Sequence, residues 1–144
     1  MLQRWVRLRV RLIWPEVVAV QVCLLFAAAW RGLDYLTPPD PASSALSVIE
    51  KTAPMTIWGI LFLSGGLIGL IGLRFDRWPL AAAGHVLAIA GYGAFAVGSA
   101  IEVFGRSPVE GWRTPVDWLM FAIIHWAFAD ASVDVWRERR TNAD

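Results

Sequence analysis

The fold of this chain is decided by one uncharged stretch near its middle, which reads Pro54-Met-Thr-Ile-Trp-Gly-Ile-Leu-Phe-Leu-Ser-Gly-Gly-Leu-Ile-Gly-Leu-Ile-Gly-Leu73. From Ile57 to Leu73 the only polar side chain is that of Ser64, and Arg74 follows at once. An apolar run of about 18 residues or more is long enough to cross the hydrocarbon of a bilayer. Glycines weaken such a helix in water but are tolerated in lipid, where they let a neighbouring helix approach closely. The stretch therefore predicts a membrane-spanning helix.

The composition of the whole chain agrees with a membrane protein. Its 144 residues are 57% hydrophobic and the mean hydropathy is +0.52, well above the usual range of soluble domains. Cys23 is the only cysteine, so no internal disulfide can form. The sequence contains no glycine-rich phosphate loop, metal-ligand spacing or basic nucleic-acid-binding face. We therefore expect a protein of the lipid bilayer that is not an enzyme and has no cofactor, metal ion or nucleic-acid partner.

Three further apolar segments accompany the first. The predicted spans cover residues 15–33, 56–73, 79–103 and 115–136. Pro15 and Pro79 suit a first helical turn, and Thr114-Pro-Val-Asp117 predicts a capping box at the start of the fourth span. The predicted fold is therefore all-α, an integral membrane four-helix bundle that forms a single domain over residues 1–144.

Two segments outside the spans carry their own predictions. In the loop of residues 36–55, clustered prolines exclude regular helix until Asp40, which is suited to cap a short surface helix over 41–51. Near the N-terminus, Arg4, Arg7 and Arg11 share one helical face. That face predicts either a helix lying on an anionic membrane surface or a basic flank that only sets orientation.

The distribution of basic residues predicts the orientation of the chain in the membrane. One side is expected to hold nine of the 13 basic residues, namely Arg4, Arg7, Arg9, Arg11, Arg74, Arg77, Arg137, Arg139 and Arg140. Tryptophans at the ends of the spans agree with the same boundaries: Trp14, Trp78 and Trp136 on that side, and Trp30, Trp58 and Trp118 on the other. Because arginine and lysine prefer the cytoplasmic side, we expect both termini in the cytoplasm.

Small residues mark the faces by which the helices pack. Stripes of glycine run along the second and third spans, at Gly65, Gly69 and Gly72 and at Gly84, Gly91 and Gly98. Such a stripe forms a groove for another helix. Packing inside one chain and packing between subunits are both consistent with this pattern.

Polar residues within the spans are the candidate functional groups, because lipid makes them costly. Counted from the tryptophans of the cytoplasmic side, Gln21, His85 and Asp130 all lie about 9–11 Å into the membrane. We expect them to form one polar layer with a hydrogen bond between His85 and Asp130. Such a layer can relay protons or can only fix the order and rotation of the helices.

Two other arrangements of these residues remain open. Asp130 can instead pair with Arg74 or Arg77 at the membrane surface. His125 shares a face with Trp118 and Ser132 and is expected to be a packing residue, since it lacks partners for a metal ion.

Three stretches of the chain carry a family resemblance. They are Ala53-Pro-Met-Thr-Ile-Trp-Gly-Ile-Leu-Phe-Leu63, Arg77-Trp-Pro-Leu-Ala-Ala-Ala-Gly-His85 and His125-Trp-Ala-Phe-Ala-Asp-Ala-Ser-Val-Asp134. With the four spans and the preference for arginine, the chain resembles small membrane proteins of actinobacterial bacteriophages, some of which are called holin-like. The resemblance implies a host inner membrane and a non-enzymatic role, and it supplies no catalytic residues.

Three functions follow from these observations. The leading hypothesis is a holin-like, membrane-acting protein that oligomerises through its glycine faces in the bacterial inner membrane. The second is a membrane anchor or interaction subunit that docks another membrane protein or a partner through the 36–55 loop. The third is a small proton-linked channel or transporter that uses Gln21, His85 and Asp130. Internal repeats would favour the third, and none is apparent between the two halves.

Overall fold

The computed structural model describes residues 15–37, 52–105, 107–108 and 111–142, and these residues form four α-helices without any strand. The helices are α1 (Pro15–Leu36), α2 (Met55–Arg74), α3 (Trp78–Phe104) and α4 (Arg113–Thr141). Each of the four is long and apolar enough to cross a membrane, which indicates a multi-pass membrane protein. The prediction of an all-α chain with four candidate spans is confirmed. The predicted surface helix over 41–51 and the basic face of the N-terminal segment lie outside the described residues.

The start of α4 differs from the sequence prediction. The helix begins at Arg113, its cap residue is Trp112, and no side chain caps it. Gly111 turns the backbone with φ +80, and the Thr114 amide already donates to the Gly111 carbonyl at 3.2 Å. The prediction of a capping box at Thr114 and Asp117 is therefore wrong, because the helix has begun before Thr114. At its other end α4 continues as far as Thr141, beyond the predicted end of the span.

The helices pack in the order of the chain. Close backbone contacts join α1 to α2, α2 to α3 and α3 to α4, whereas α1 and α3 touch only slightly. The first and last helices meet through a side chain, since the guanidinium of Arg31 on α1 lies 4.3 Å from the ring centroid of Trp118 on α4. The four helices therefore form a row whose ends are bridged by a cation–π contact.

Close approach of α1, α2 and α3 depends on glycine. The glycines predicted to pack lie on the buried faces of α2 and α3, at Gly65, Gly69, Gly72, Gly84, Gly91 and Gly98. A Cβ added at Gly84 would lie 2.4 Å from the Cα of Gly69, and one at Gly72 would lie 2.2 Å from the backbone nitrogen of Ala81. At these positions the glycines are used for packing inside one chain.

Aromatic side chains pack together between the helices, on the side of the molecule that contains the start of α2 and the start of α4. They come from all four helices and comprise Tyr35, Trp58, Phe62, Tyr92, Phe95 and Trp118. Phe62 packs edge-on against Tyr92 with ring centroids 5.0 Å apart, and a Cβ added at Gly91 would lie 2.6 Å from the Phe62 ring. Such ring pairs contribute about 0.5–1.5 kcal/mol each beyond the area they bury. We call this group the aromatic cluster.

The α2–α3 turn and the last turn of α4 lie together at the helix ends farthest from the aromatic cluster. We call this side of the molecule the basic end. Asp76 adopts φ 55, and the amides of Asp76 and Arg77 donate to the carbonyls of Leu73 and Gly72. This is a Schellman motif with aspartate in place of the usual glycine. Arg139 of α4 forms an ion pair with the Asp76 carboxylate. The turn and the end of α4 are thereby held together.

Substitution of Gly84 by alanine tests the glycine contact between α2 and α3. The added methyl group meets the backbone of Gly69, so Gly84→Ala should lower the free energy of unfolding by about 1–3 kcal/mol. Unfolding of the purified protein by denaturant in lipid–detergent micelles measures this loss. Gly93→Ala is the matched control on the same helix, because no atom lies within 4 Å of its added Cβ. Equal stability of the two variants would contradict the proposed contact.

Candidate functional site

The buried polar side chains define the candidate site. Among the described residues these are Gln21, His85, Ser99, His125 and Ser132. The hydroxyl of Ser99 donates to the carbonyl of Phe95 one turn earlier in α3, a bond that needs no tertiary partner. The other four have to find partners between helices or remain unpaired. In a lipid environment this distinction matters, because hydrocarbon offers no hydrogen bonds.

The central feature of the site is a pair of histidines. His85 of α3 and His125 of α4 are both fully buried, and their Nδ1 atoms lie 2.8 Å apart. This separation is that of a hydrogen bond. The bond joins residues 40 positions apart in the sequence and ties α3 to α4 at the depth of His85.

The geometry of the bond fixes the protons on the two rings. A neutral imidazole has one N–H donor and one lone-pair acceptor. For an Nδ1–Nδ1 hydrogen bond, one ring must carry its proton on Nδ1 and the other must present an Nδ1 lone pair. When both rings are neutral, the pair therefore consists of two opposite tautomers, so one outer Nε2 atom is an acceptor and the other is a donor.

Aromatic rings hold both imidazoles in place. Phe128 stacks on His85 with centroids 5.6 Å apart, and Tyr92 stacks on His125 with centroids 5.3 Å apart. The outer Nε2 atoms of the two histidines are buried and have no hydrogen-bond partner among the described residues. The site is thus a hydrogen-bonded histidine pair packed against aromatic rings, with one proton-accepting and one proton-donating atom left unused.

A cation lies beyond the pair, toward the aromatic cluster. Trp118, on which the Arg31 guanidinium stacks, packs on Tyr92 with ring centroids 5.8 Å apart. Tyr92 in turn stacks on His125. Side chains of α1, α3 and α4 are therefore connected from Arg31 to the histidine pair.

Of the three residues predicted to form a polar layer, two are buried and one is exposed. Gln21 and His85 are buried, but Asp130 is exposed on the outer face of α4. The predicted hydrogen bond between His85 and Asp130 is wrong, because His85 bonds His125 through Nδ1 and its Nε2 has no partner among the described residues. Asp130 is five residues from His125, which rotates it about 140° around the helix. The side-chain oxygen of Gln21 likewise has no described partner.

The basic residues predicted at the membrane surface are exposed where the structure describes them. Arg74, Arg77 and Arg137 are all exposed at the basic end. Arg137 also lies 3.8 Å from the carboxylate of Asp134, one turn earlier in α4. Arg4, Arg7 and Arg11 lie outside the described residues.

Sequence reasoning missed the role of His125, although one signal pointed to it. Trp118, His125 and Ser132 recur every seven residues and so share one helical face. In the structure Trp118 packs on Tyr92 and Phe95, and Ser132 is buried, so this face is the one that meets α3. A histidine on that face needs a polar partner from α3, and His85 supplies it.

The fold and the site define a multi-pass helical membrane protein with a buried histidine pair. Within the described residues, no group of three or more histidine, cysteine or acidic side chains is placed to hold a metal ion. Comparison with known protein families, with characterised proteins and with solved structures finds no match for this chain. The evidence for the function of this protein is therefore the geometry and chemistry of the site itself.

A double-mutant cycle tests the histidine bond. His85→Leu or His125→Leu alone leaves the remaining imidazole without its partner, so each should cost about 1–3 kcal/mol of unfolding free energy. The double variant should cost less than the sum, because it leaves no orphaned imidazole. Denaturant unfolding in micelles gives the four values. His85→Leu combined with Ser99→Ala is the control pair and should be additive, and additivity of the histidine pair would argue against the bond.

Proposed function

We propose that this protein is a small proton-linked transporter or channel of the bacterial inner membrane, with His85 and His125 as the groups that carry the proton. The observation that carries the proposal is the Nδ1–Nδ1 hydrogen bond between two fully buried histidines on different helices. Histidine is the side chain suited to taking up and releasing protons near neutral pH, and intramembrane ionisable groups commonly mark proton paths.

The pair can pass a proton in three balanced steps. A proton first binds the free Nε2 lone pair of the ring whose Nδ1 carries hydrogen. That ring then gives its Nδ1 proton to the Nδ1 lone pair of its partner along the 2.8 Å bond. The partner, which already carries a proton on Nε2, releases that proton. One proton has entered at one outer nitrogen and one has left at the other.

Each passage leaves the two tautomers exchanged. The ring that donated through Nδ1 now presents a lone pair there, so a second proton cannot follow in the same direction until the tautomers are restored. Restoration requires a return proton or rotation of the rings, which Phe128 and Tyr92 restrict by stacking. This need for a reset favours a cycling transporter over a freely conducting channel.

The charge distribution supports an orientation for this function. Arg74, Arg77, Arg137, Arg139 and Arg140 belong to the basic end, and four more arginines precede Pro15, the first residue of α1, in the sequence. Under the positive-inside preference the basic end and both termini face the cytoplasm. In this orientation the aromatic cluster lies toward the outer face of the membrane.

The other two hypotheses keep the status of predictions. The holin-like function depends on glycine faces available for oligomerisation, and at Gly69, Gly72 and Gly84 these faces are in contact within one chain. Oligomerisation through other faces would then be required. The anchor hypothesis depends on the 36–55 loop, most of which lies outside the described residues.

Proton flux into liposomes tests the proposal directly. Vesicles containing the purified protein and an internal pH-sensitive dye should acidify faster than protein-free vesicles when a membrane potential is imposed. His85→Gln and His125→Gln should each reduce this rate by about tenfold or more, since each removes a proton carrier. Gly93→Ala is the control and should retain the wild-type rate. A wild-type rate equal to that of empty vesicles would overturn the proposal.

Induced expression in bacteria separates the proton-linked function from the holin-like one. A proton-linked protein should depolarise cells slowly, with no release of a co-expressed cytoplasmic enzyme, and the depolarisation should be lost in His85→Gln. A holin-like protein should instead release the enzyme abruptly, regardless of the histidines. Viability, membrane potential and enzyme release are followed together after induction. Abrupt release by both wild type and His85→Gln would favour the holin-like function.

A further inference from the structure

Most of the buried polar atoms without a hydrogen-bond partner among the described residues belong to α3 and α4. Six buried side-chain nitrogen or oxygen atoms lack a hydrogen-bond partner among the described residues. Four of the six belong to α3 or α4, namely Trp78 Nε1, His85 Nε2, His125 Nε2 and Ser132 Oγ. All four residues are at least nine-tenths buried. We call the interface between α3 and α4, from the histidine pair to the basic end, the seam.

The four atoms follow the same spacing on the two helices. Trp78 lies seven residues before His85 on α3, and Ser132 lies seven residues after His125 on antiparallel α4. Seven residues make almost two helical turns, so each pair shares a face and spans about 10 Å. Each helix therefore carries one unpaired group at the histidine level and another nearer the basic end.

Small side chains separate the two levels. Ala82 lies between Trp78 and His85 on α3, and Ala129 lies between His125 and Ser132 on α4. Both alanines are buried. At these two positions the side chain between the unpaired groups is a single methyl group, while Phe128 of α4 lies against the His85 ring.

The chemistry of the unpaired atoms matches that of water. The Trp78 indole can only donate a hydrogen bond, the Ser132 hydroxyl can donate and accept, and the histidine pair offers one donor and one acceptor. A buried polar atom without a partner is costly, and neither lipid nor the surrounding alanines can supply one. Buried water commonly fills this role and makes about two to four hydrogen bonds.

We propose that the seam holds a short file of water molecules that leads from the basic end to the histidine pair. A path of about 10 Å requires about three molecules at ordinary hydrogen-bond spacing. As a route for protons, this file rests on the function proposed above; as a hydration site, it can be measured without any flux. Ser132 and Trp78 are then the residues that position the water.

Access through the seam is one-sided. Beyond the histidines, Tyr92 stacks on His125 and is itself packed against Phe62 and Trp118. These rings belong to the aromatic cluster, in which Tyr92 is 2% exposed. The pair is thus closed toward the aromatic cluster and reaches water only through the seam.

Thiol accessibility tests the water file. Ser132→Cys is made in a Cys23→Ala background, so that the introduced thiol is unique, and the protein is placed in liposomes of known sidedness. Silver ions, which are small enough for a narrow aqueous path, are added on the side of the basic end. The fraction of thiol left for labelling after unfolding is then followed in time. We expect the thiol of Ser132→Cys to react about tenfold or more faster than that of Ser99→Cys, because only the former lies beside the proposed water file.

The controls define what overturns the proposal. Ser99→Cys is matched because Ser99 is also a buried serine of the interior, but it lies on the other side of the histidine pair. Asn142→Cys, exposed at the basic end, reports full access. Equal slow reaction of Ser132→Cys and Ser99→Cys, or reaction of Ser132→Cys only from the opposite side, would show that the seam is dry. The flux assay above is independent of this result, so the two proposals can fail separately.

A second measurement uses the unaltered chain. Magnetisation transfer from water to side-chain protons, recorded by NMR in bilayers, should reach the Trp78 indole proton and should not reach that of Trp58. Both indole nitrogens are buried and unpaired among the described residues, but Trp58 belongs to the aromatic cluster. Equal transfer to the two indoles, or none to Trp78, would contradict a water file in the seam.

Discussion

Hydrocarbon cannot accept or donate hydrogen bonds, and this single property of the surroundings governs how the four helices are joined. Every backbone group within a span must bond inside its own helix, so the helices can be held together only by side chains and close packing. The α1–α2–α3 part of the row uses close packing, in which glycine removes the side chain that would separate two backbones. The α3–α4 part uses a polar contact, the bond between His85 and His125.

These two ways of joining helices have different consequences. Glycine contacts such as Gly69–Gly84 depend only on shape, and any larger residue disrupts them. A hydrogen bond between histidines depends on the protonation state, since two doubly protonated rings cannot share one proton. The contact between α3 and α4 can therefore respond to protonation of the two histidines. The ionisable pair thus lies at the α3–α4 interface, whereas the glycine contacts lie between α1, α2 and α3.

Much of the fold could be predicted from the sequence because its signals are local. The apolar run from Ile57 to Leu73, bounded by Arg74, specifies a span whatever its neighbours are. The start of α4 was predicted less well, since Gly111 begins the turn before the expected Thr114 cap. Local residues compete at a helix end, and the sequence alone does not say which of them prevails.

The candidate site could be predicted only in part, because it depends on which faces of distant helices meet. Depth along each helix follows from counting residues, and this placed His85 inside the membrane. Rotation about the helix axis decides which side chains meet, and it places His125 rather than Asp130 against His85. Trp118, His125 and Ser132 occupy the face of α4 that meets α3, and Asp130 is turned away from that face by about 140°. A search for seven-residue recurrence of polar and aromatic residues would have ranked His125 above Asp130.

The relative arrangement of the seam and the aromatic cluster has a consequence for the proposed cycle. A pair that exchanges its tautomers with each proton must alternate between two states, and a carrier must expose those states to opposite sides of the membrane. The unpaired atoms of Trp78 and Ser132 lie on one side of the pair, and the stacked rings of the aromatic cluster lie on the other. In the proposed cycle this arrangement corresponds to the state open to the basic end. In that proposed cycle the complementary state requires Tyr92 to leave His125, and Tyr92 is packed against Trp118, on which Arg31 stacks. The cation–π contact between Arg31 and Trp118 would then also restrain the movement of Tyr92 away from His125.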